Sequence, residues 1–451
     1  MGRHLACFKA YDVRGIVPTE LNPAIAHAIG RAFARHTGAK RVAIGFDIRL
    51  SGPELARALA AGLRAEGAQA IDLGLVGTEM VYFAVGHYGV DGGVMITASH
   101  NPPEYNGMKM VRQESRPISG DTGLYDIEET AAGLVAEGVA SDEPIGEGLD
   151  AYPDFVRHLL SFADASEMKP LRVLANPGNG AASLALDAIA PHLPLQIERM
   201  NWTPDGAFPN GVPNPILPES RAGMEAIMQA NPGAFDFGVA WDGDYDRCFF
   251  LDEKGNFIEG YYIVGLLAQA LLEREPGQTI VYDPRLTWNT LEIVERLGGR
   301  AVLCKSGHAF IKEKMRAEDA AYGGEMSAHH YFKRHWYCDS GMIPLMLIAQ
   351  LVSRAGRTLG ELVGGMVERF PCSGEINSRV EDVAGVLARV ESAYPGGEID
   401  RTDGLSVEFA DWRFNLRGSN TEPVIRLNVE TRGDRALLSA KTAELIDLIR
   451  S

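Results

Sequence analysis

The sequence predicts an α/β protein: three α/β domains with mixed, largely parallel sheets, followed by a smaller α+β domain at the C-terminus. Three observations predict this. The 451 residues exceed what one hydrophobic core ordinarily organises, and about three or four domains are expected. Through most of the chain, short apolar strands alternate with helical stretches, the pattern of parallel sheets with crossover helices. From Leu405 onward the alternation stops and strands come close together, which marks an α+β unit.

The elements run in order along the chain. Arg41–Phe46 is a short apolar strand. Ser51-Gly-Pro-Glu54 then opens a helix, with Ser51 as cap, Pro53 in the first turn and Glu54 completing a capping box. Ala70–Leu73 and Gly92–Thr97 are further strands of that sheet. A polar connector over Glu137–Gly148 leads to a second unit, built from the strand Leu171–Ala175, the turn Asn176–Gly180, the helix Ala181–Ala190 and the strand Phe237–Trp241. A third unit holds the strand Thr279–Tyr282, the helix Trp288–Leu297, the strand Ala301–Cys304 and a loop at Gly324. Met342–Met366 reads as one helical stretch. The tail contributes strands Leu405–Phe409, Trp412–Leu416 and Val424–Glu430 and a single helix over Asp434–Ile449. The expected domains are 1–147, 148–252, 253–366 and 367–451.

Charge and cysteine usage narrow the function classes. Lys and Arg total 43 against 60 Asp and Glu, a net charge of −17. Such a body repels nucleic acid and anionic membrane, so neither is an expected partner. It also repels phosphorylated metabolites, so a phosphate site has to concentrate Arg, Lys and backbone N–H groups locally. Cys7, Cys248, Cys304, Cys338 and Cys372 are odd in number, scattered, and form no C-x-x-C pair, which fits a reducing, cytoplasmic setting. No signal-like apolar segment is evident at the N-terminus. The apolar stretches near Tyr261–Leu272 and Met342–Val352 are too short to span a bilayer.

Three loops above all carry candidate chemistry. In Ile96-Thr-Ala-Ser-His-Asn-Pro102, Ser99 comes after a strand. A bare serine alcohol is a poor nucleophile and needs activation; no G-x-S-x-G surrounds it, against a serine hydrolase. In Asp242-Gly-Asp-Tyr-Asp-Arg247, three carboxylates at alternating positions can converge on one hard cation, and Mg²⁺ favours such oxygen ligands. Arg247 at the glycine position and the apolar run Cys248–Leu251 exclude an EF-hand. A haloacid-dehalogenase loop, with Asp242 as nucleophile and Asp244 as acid, stays as the alternative, although Asp246 departs from its pattern. Gly178-Asn-Gly180 mimics part of a dinucleotide fingerprint but reads as a tight strand-to-helix turn. Arg417-Gly-Ser-Asn-Thr421 is either a polar hairpin or a phosphate-binding loop. His329, His330, His335 and Cys338 match no common zinc spacing. Arg285 and the turn Lys305-Ser-Gly-His308 end strands, where open α/β sheets place ligand contacts.

Together with Gly324-Glu-Met-Ser-Ala-His-His330, the Ser99, Asp242 and Arg417 loops resemble, in the same order, the four signature loops of the α-D-phosphohexomutases. Phe8-Lys-Ala-Tyr-Asp-Val-Arg14 and the doubled His329-His330 are most similar to the bacterial phosphomannomutases among them. The resemblance implies four domains around an active-site cleft. It implies that Ser99 carries a phosphoryl group, that Lys109 helps move the proton, and that Arg14, His100, Arg247 and His329 serve the transfer. Asp242, Asp244 and Asp246, with the phosphoryl on Ser99, would hold Mg²⁺. Glu325 and Ser327 would read ring hydroxyls. Tyr11, Arg285, Lys305 and His308 would line the substrate, and Arg417, Ser419, Asn420 and Thr421 would clamp its phosphate. The implied reaction interconverts mannose 6-phosphate and mannose 1-phosphate through a hexose 1,6-bisphosphate, which also acts as activator, in a monomer or dimer feeding GDP-mannose synthesis. Use of glucose phosphates as well, or a dehalogenase-type sugar phosphatase, are the alternatives; a phosphosugar-binding protein without turnover is the non-enzyme one. The chain departs from the usual glycine at Tyr245, Ala328 and Asn420.

Overall fold

The computed structural model describes residues 4–135, 143–418 and 424–451. The chain divides into two compact units, Met1–Phe257 with His329–Gly356, and Ile258–Ala328 with Arg357–Ser451.

The first unit contains a sheet in the order Val13–Ile16, Tyr105–Arg112, Gly92–Ile96, Arg41–Phe46, Gln69–Leu75, Glu147–Gly148. Helices Gly52–Ala65 and Thr78–Tyr88 cross between successive strands, so Arg41–Phe46 pairs in parallel with both Gln69–Leu75 and Gly92–Ile96. The link from Ile96 to Tyr105 contains no helix and reverses direction, so Tyr105–Arg112 runs antiparallel to Gly92–Ile96, with Lys109 opposite Met95. The sheet is therefore mixed, and Lys109 stands on the strand beside the one that feeds Ser99. Helices Pro23–Thr37 and Gly52–Ala65 approach closely enough that a Cβ on Gly30 would lie 2.2 Å from the Leu59 carbonyl. Val94, Ile96, Met108 and Met110 from the sheet and Ile29, Phe33, Leu59 and Leu63 from these helices share one buried core.

A second sheet in this unit runs Cys248–Leu251, Phe237–Trp241, Leu171–Asn176, Leu195–Arg199. Its central pairs are parallel, and Cys248–Leu251 folds back antiparallel on Phe237–Trp241. The intervening turn is the Asp242–Arg247 loop. Gly178 and Asn179 take φ of 61° and 60°, and the Asn179 amide donates to the Thr203 carbonyl at 2.8 Å; the turn is knit by its own loop.

In the second unit, Arg300–Leu303, Thr279–Tyr282 and Tyr322–Gly324 are parallel. Ile376–Arg379, Val424–Thr431, Trp412–Gly418, Leu405–Glu408 and Glu398–Asp400 form an antiparallel sheet. Its inner face packs Val407, Phe414, Leu416, Ile425, Leu427 and Val429 under the helix Arg435–Arg450 through Leu445 and Ile449.

Three local expectations are corrected. Ser51 precedes the helix but lies in the right-handed helical region (φ −79°, ψ −9°) and makes no capping hydrogen bond; its Oγ instead accepts from Asn106 Nδ2 at 2.9 Å, on the strand that carries Lys109. The stretch Met342–Met366 is two helices. Met342–Ala355 ends at a left-handed Gly356, and Leu359–Arg369 starts with a capping box in which Glu361 N–H donates to Thr358 Oγ1. The tail holds a further helix, Val383–Ala393, capped by Asp382. No helix among the described residues is long and apolar enough to cross a membrane.

Candidate active site

Two strand ends of the first unit bring the serine and the acidic loop together. Gly92–Ile96 runs directly into Ser99, and Phe237–Trp241 into Asp242. Ser99 Oγ donates to Asp242 Oδ2 at 2.7 Å and lies 3.1 Å from His100 Nδ1. Contact is backbone-close as well: a Cβ on Gly243 would fall 2.5 Å from the Ser99 carbonyl oxygen, so glycine is what lets the two loops meet. Tyr245 closes the acidic turn with φ 46°, a left-handed conformation that glycine adopts at less cost.

Asp242, Asp244 and Asp246 are fully buried, and their carboxylate oxygens lie within 4.8 Å of one another. Lys109 Nζ donates to Asp244 Oδ2 at 2.7 Å and also to Asp246. Arg247 reaches Asp242 Oδ2 through Nε at 3.0 Å and Nη2 at 2.7 Å, and a second bond links Nη2 to His100 Nδ1. Burial by itself would raise the Asp244 carboxyl, but the Lys109 ammonium overcomes it and holds the group below the ordinary carboxylate range. Burial and the neighbouring Asp244 charge push Asp246 up. Burial and then the Arg247 charge keep His100 well below its usual value, so its Nδ1 acts as an acceptor. Asp244 Oδ1 and Asp246 Oδ1 are buried without a hydrogen-bond partner. Buried carboxylate oxygens without a partner are costly, and a hard divalent cation with oxygen preference satisfies them. The residues fit Mg²⁺.

Arg14 Nη1 donates to Asn101 Oδ1 at 2.6 Å, and its Nε to Asp12 Oδ2 at 2.9 Å. This ties the first strand to the serine loop; Tyr11 is half-buried just before that strand. His329 forms a bridge with Arg247. Its Nδ1 lies 2.8 Å from Asp339 Oδ2 and 4.0 Å from Asp246 Oδ1. Burial opposes protonation of His329, yet Asp246 and the Asp339 hydrogen bond raise it above its ordinary value.

The second unit gathers the remaining predicted residues at the ends of its own strands. Arg285 lies just past Thr279–Tyr282 and is buried. It pairs with Asp283 through Nε at 2.9 Å and Nη2 at 2.8 Å, and Nη2 lies 3.4 Å from Glu325 Oε1 and 3.3 Å from Ser327 Oγ. Glu325 Oε1 also accepts the Gly307 N–H at 2.9 Å, which joins the Glu325 loop to the turn that carries Lys305 and His308. Ala328 holds φ 70°, a second left-handed position that favours glycine. Arg417 Nη2 donates to Glu375 Oε2 at 3.2 Å; Arg285 Nη1 and Arg426 Nη1 lie 3.8 and 3.4 Å from the same carboxylate. Lys305, Arg401, Thr402, Asp403 and Arg417 line a pocket of about 390 Å³. On the same sheet, Glu430 accepts from Arg413 Nη1 at 2.8 Å and Thr287 N–H at 2.7 Å, while Arg413 Nη2 donates to the Pro284 carbonyl at 2.9 Å. A buried ion pair thus fastens the antiparallel sheet to the Arg285 turn.

The structure brings Ser99, His100, Lys109, Arg14, Asp242, Asp244, Asp246, Arg247 and His329 into one constellation, and Arg285, Lys305, His308, Glu325, Ser327 and Arg417 into another. Ser419, Asn420 and Thr421 lie outside the described residues. Sequence reasoning passed over Asp339, Glu375 and Thr78, whose hydroxyl and N–H both donate to Asp244. Each is polar and sits at an element end, the same signal that marked the other loops.

Models of the phosphoglucomutase/phosphomannomutase family match in series: alpha/beta/alpha domain I over residues 6–135, domain II over 150–255, domain III over 259–370, and the C-terminal domain over 375–448. A protein named phosphohexose mutases from Xanthomonas campestris pv. campestris is 56% identical over 99% of both chains. A phosphomannomutase from Salmonella montevideo is 53% identical over 99% of this chain and 100% of its own. The crystal structure of a phosphoglucomutase/phosphomannomutase family protein from Burkholderia thailandensis superposes with a TM-score of 0.85 at 31% identity, covering 100% of this chain and 98% of that one.

Proposed function

Because the chain belongs to the phosphoglucomutase/phosphomannomutase family, the α-D-phosphohexomutases, we propose that it is a phosphomannomutase, an isomerase that interconverts mannose 6-phosphate and mannose 1-phosphate and supplies GDP-mannose synthesis. The observation that carries the reading is the hydrogen bond from Ser99 Oγ to Asp242, within a buried loop of three carboxylates. A binding protein has no need of a nucleophile at such a loop.

In this reading Ser99 carries a phosphoryl group. The free hydroxyl of a hexose monophosphate attacks the phosphorus, the bond from phosphorus to Ser99 Oγ breaks, and a hexose 1,6-bisphosphate forms. The hydroxyl proton is relayed to Ser99 Oγ, which leaves as a hydroxyl: the Lys109 ammonium, beside the acidic loop with His329, gives up one proton as it takes up another. The bisphosphate turns around without leaving, and its other phosphate returns to Ser99 Oγ. The same bisphosphate, added from solution, phosphorylates a resting enzyme and so acts as activator. Arg247, Arg14 and His100 support the phosphoryl oxygens as charge moves. Asp242, Asp244 and Asp246 would hold Mg²⁺, which when bound neutralises charge on the transferring group; positioning supplies most of the remainder.

Glu325 and Ser327 would read neighbouring ring hydroxyls, with Tyr11, Arg285, Lys305 and His308 around them. Arg417, with Ser419, Asn420 and Thr421, would hold the phosphate that is not being transferred; the Lys305–Arg417 pocket supports this. The dehalogenase reading is weakened because Asp242 Oδ2 already accepts from Ser99 and twice from Arg247, which leaves it a poor nucleophile. A second reading, use of glucose phosphates as well, is favoured by the broader name of the Xanthomonas relative. The free state of all five cysteines supports a cytoplasmic location.

The test is a coupled assay of mannose 1-phosphate and glucose 1-phosphate with added bisphosphate. Mannose-dominated turnover supports the proposal, comparable turnover supports dual use, and phosphate release without isomerisation removes both.

A further inference from the structure

Ser99 holds φ 48°, a left-handed conformation that is unfavourable for a residue with a Cβ. The groups that hold it there come from the neighbouring strand. Arg41–Phe46 ends in Asp47-Ile-Arg49. The Arg49 side chain is 1% exposed, and its two terminal nitrogens donate to four backbone carbonyls of the serine loop. Nη1 reaches Pro102 at 2.7 Å and Tyr105 at 2.8 Å; Nη2 reaches Ser99 at 2.9 Å and Asn101 at 2.6 Å. Asp47 lies 3.4 Å from Arg49 Nε, accepts the Arg49 N–H at 2.9 Å, and accepts Thr97 Oγ1–H at 2.7 Å. Thr97 Oγ1 in turn accepts the Ser99 N–H at 2.8 Å.

Both backbone sides of Ser99 are therefore fixed, the N–H through Thr97 to Asp47 and the carbonyl by Arg49. Arg49 spends all four terminal N–H bonds on carbonyls and keeps none for a ligand. Only a planar guanidinium spans four such acceptors; a lysine ammonium has three donors on one atom. A buried cation is a costly way to stabilise a loop, so its retention here calls for a role in geometry.

We propose that Asp47, Arg49 and Thr97 are positioning residues for phosphoryl transfer: they lock the peptide planes on either side of Ser99 so that its Oγ faces Asp242. Because Oγ hangs only two bonds from the fixed Cα, small shifts of the loop move the reacting phosphorus directly. The proposal rests on Ser99 being the phosphoryl carrier.

The experiment uses the full chain as wild type, Arg49→Lys, Thr97→Val and Thr97→Ser. Wild type is first charged with labelled hexose 1,6-bisphosphate; failure to label Ser99 removes the phosphoserine reading and the positioning roles with it. Each variant is next assayed for single-turnover transfer from phospho-Ser99 to mannose 6-phosphate, for mannose 6-phosphate affinity by calorimetry, and for thermal unfolding, so that the positioning roles can fail while the phosphoserine stands. Arg49→Lys and Thr97→Val are expected to slow transfer about 100-fold, the order of loss for a displacement near 1 Å, with sugar affinity within about three-fold of wild type. Thr97→Ser keeps the hydroxyl and should restore transfer to within about three-fold. Wild-type transfer in Arg49→Lys, or losses in affinity that match those in rate, would overturn the proposal. If Arg49→Lys does not fold, the threonine pair decides: equal rates in Thr97→Val and Thr97→Ser overturn it.

Discussion

Single residues decide what the two constellations can do. Ser99→Ala removes the acceptor oxygen and leaves the buried surroundings nearly unchanged in volume, so it should lose at least about 1,000-fold in turnover while its unfolding temperature stays within a few degrees; activity retained to within ten-fold would contradict the assignment. Glu325 presents a different question, because its carboxylate is already engaged by Gly307 and Arg285. If it reads ring hydroxyls, Glu325→Ala should impair turnover of hexose phosphates far more than phosphorylation of Ser99 by a small phosphoryl donor. Equal losses would mean that it serves the Arg285 turn instead. Ser99, Asp242 and Arg285 were legible because each comes just after an apolar strand, where side chains of an α/β sheet meet solvent and ligand; Arg14, Lys109 and Arg417, which lie within strands, were singled out by the resemblance. Their partners were not. Nothing in spacing links Asp339 to His329 or Arg49 to Ser99; the first pairing arises across the hairpin of His330–Phe332 with Cys338–Asp339, the second from the order of strands in the first sheet. Tyr245 and Ala328 stood out only as departures from an expected glycine, and their φ of 46° and 70° fall where glycine costs least.

Elements carry the electrostatics. The acidic loop concentrates three carboxylates against one lysine and one arginine, and two of its oxygens lack partners. Chelation should abolish turnover and added Mg²⁺ restore it; undiminished activity in excess chelator would sink the metal assignment. On the helix Tyr152–Leu160, His158 Nε2 lies 3.0 Å from His335 Nδ1, and burial, then the Arg334 charge, lower His158 to about 4. A histidine whose folded value lies below its unfolded one takes up its proton more readily when unfolded. Its contribution is therefore present above pH 6.5 and is lost as pH falls from there toward about 4. Urea unfolding should show wild type losing stability between pH 7.5 and pH 5 by about 1–2 kcal/mol more than His158→Gln; parallel losses would contradict it. At this scale the strands of the first three α/β stretches were readable from apolar runs between polar turns. The break at Gly356 was readable too, since Thr358 and Glu361 spell a capping box, but the long apolar pattern on both sides hid it. The helix Val383–Ala393 buries only Val386 and Val390, too narrow a stripe to stand out.

For the molecule as a whole, moving a phosphate between two positions of one sugar requires the substrate to be bound in two orientations. A clamp that grips phosphate rather than sugar meets that requirement. Arg417→Ala should weaken mannose 1-phosphate and mannose 6-phosphate by comparable factors, on the order of ten-fold or more; loss for one isomer alone would end the two-orientation clamp. The central claim is that one serine carries the phosphoryl group through the cycle, and it is tested most directly by labelling. The protein is charged with labelled hexose 1,6-bisphosphate, the labelled peptide is mapped, and the charged protein is mixed with mannose 6-phosphate. The expected result is an alkali-labile, hydroxylamine-resistant phosphate on Ser99 that passes to the sugar at a rate able to support turnover. A hydroxylamine-sensitive acyl phosphate on Asp242, or a phosphoserine that does not pass to the sugar, would contradict it.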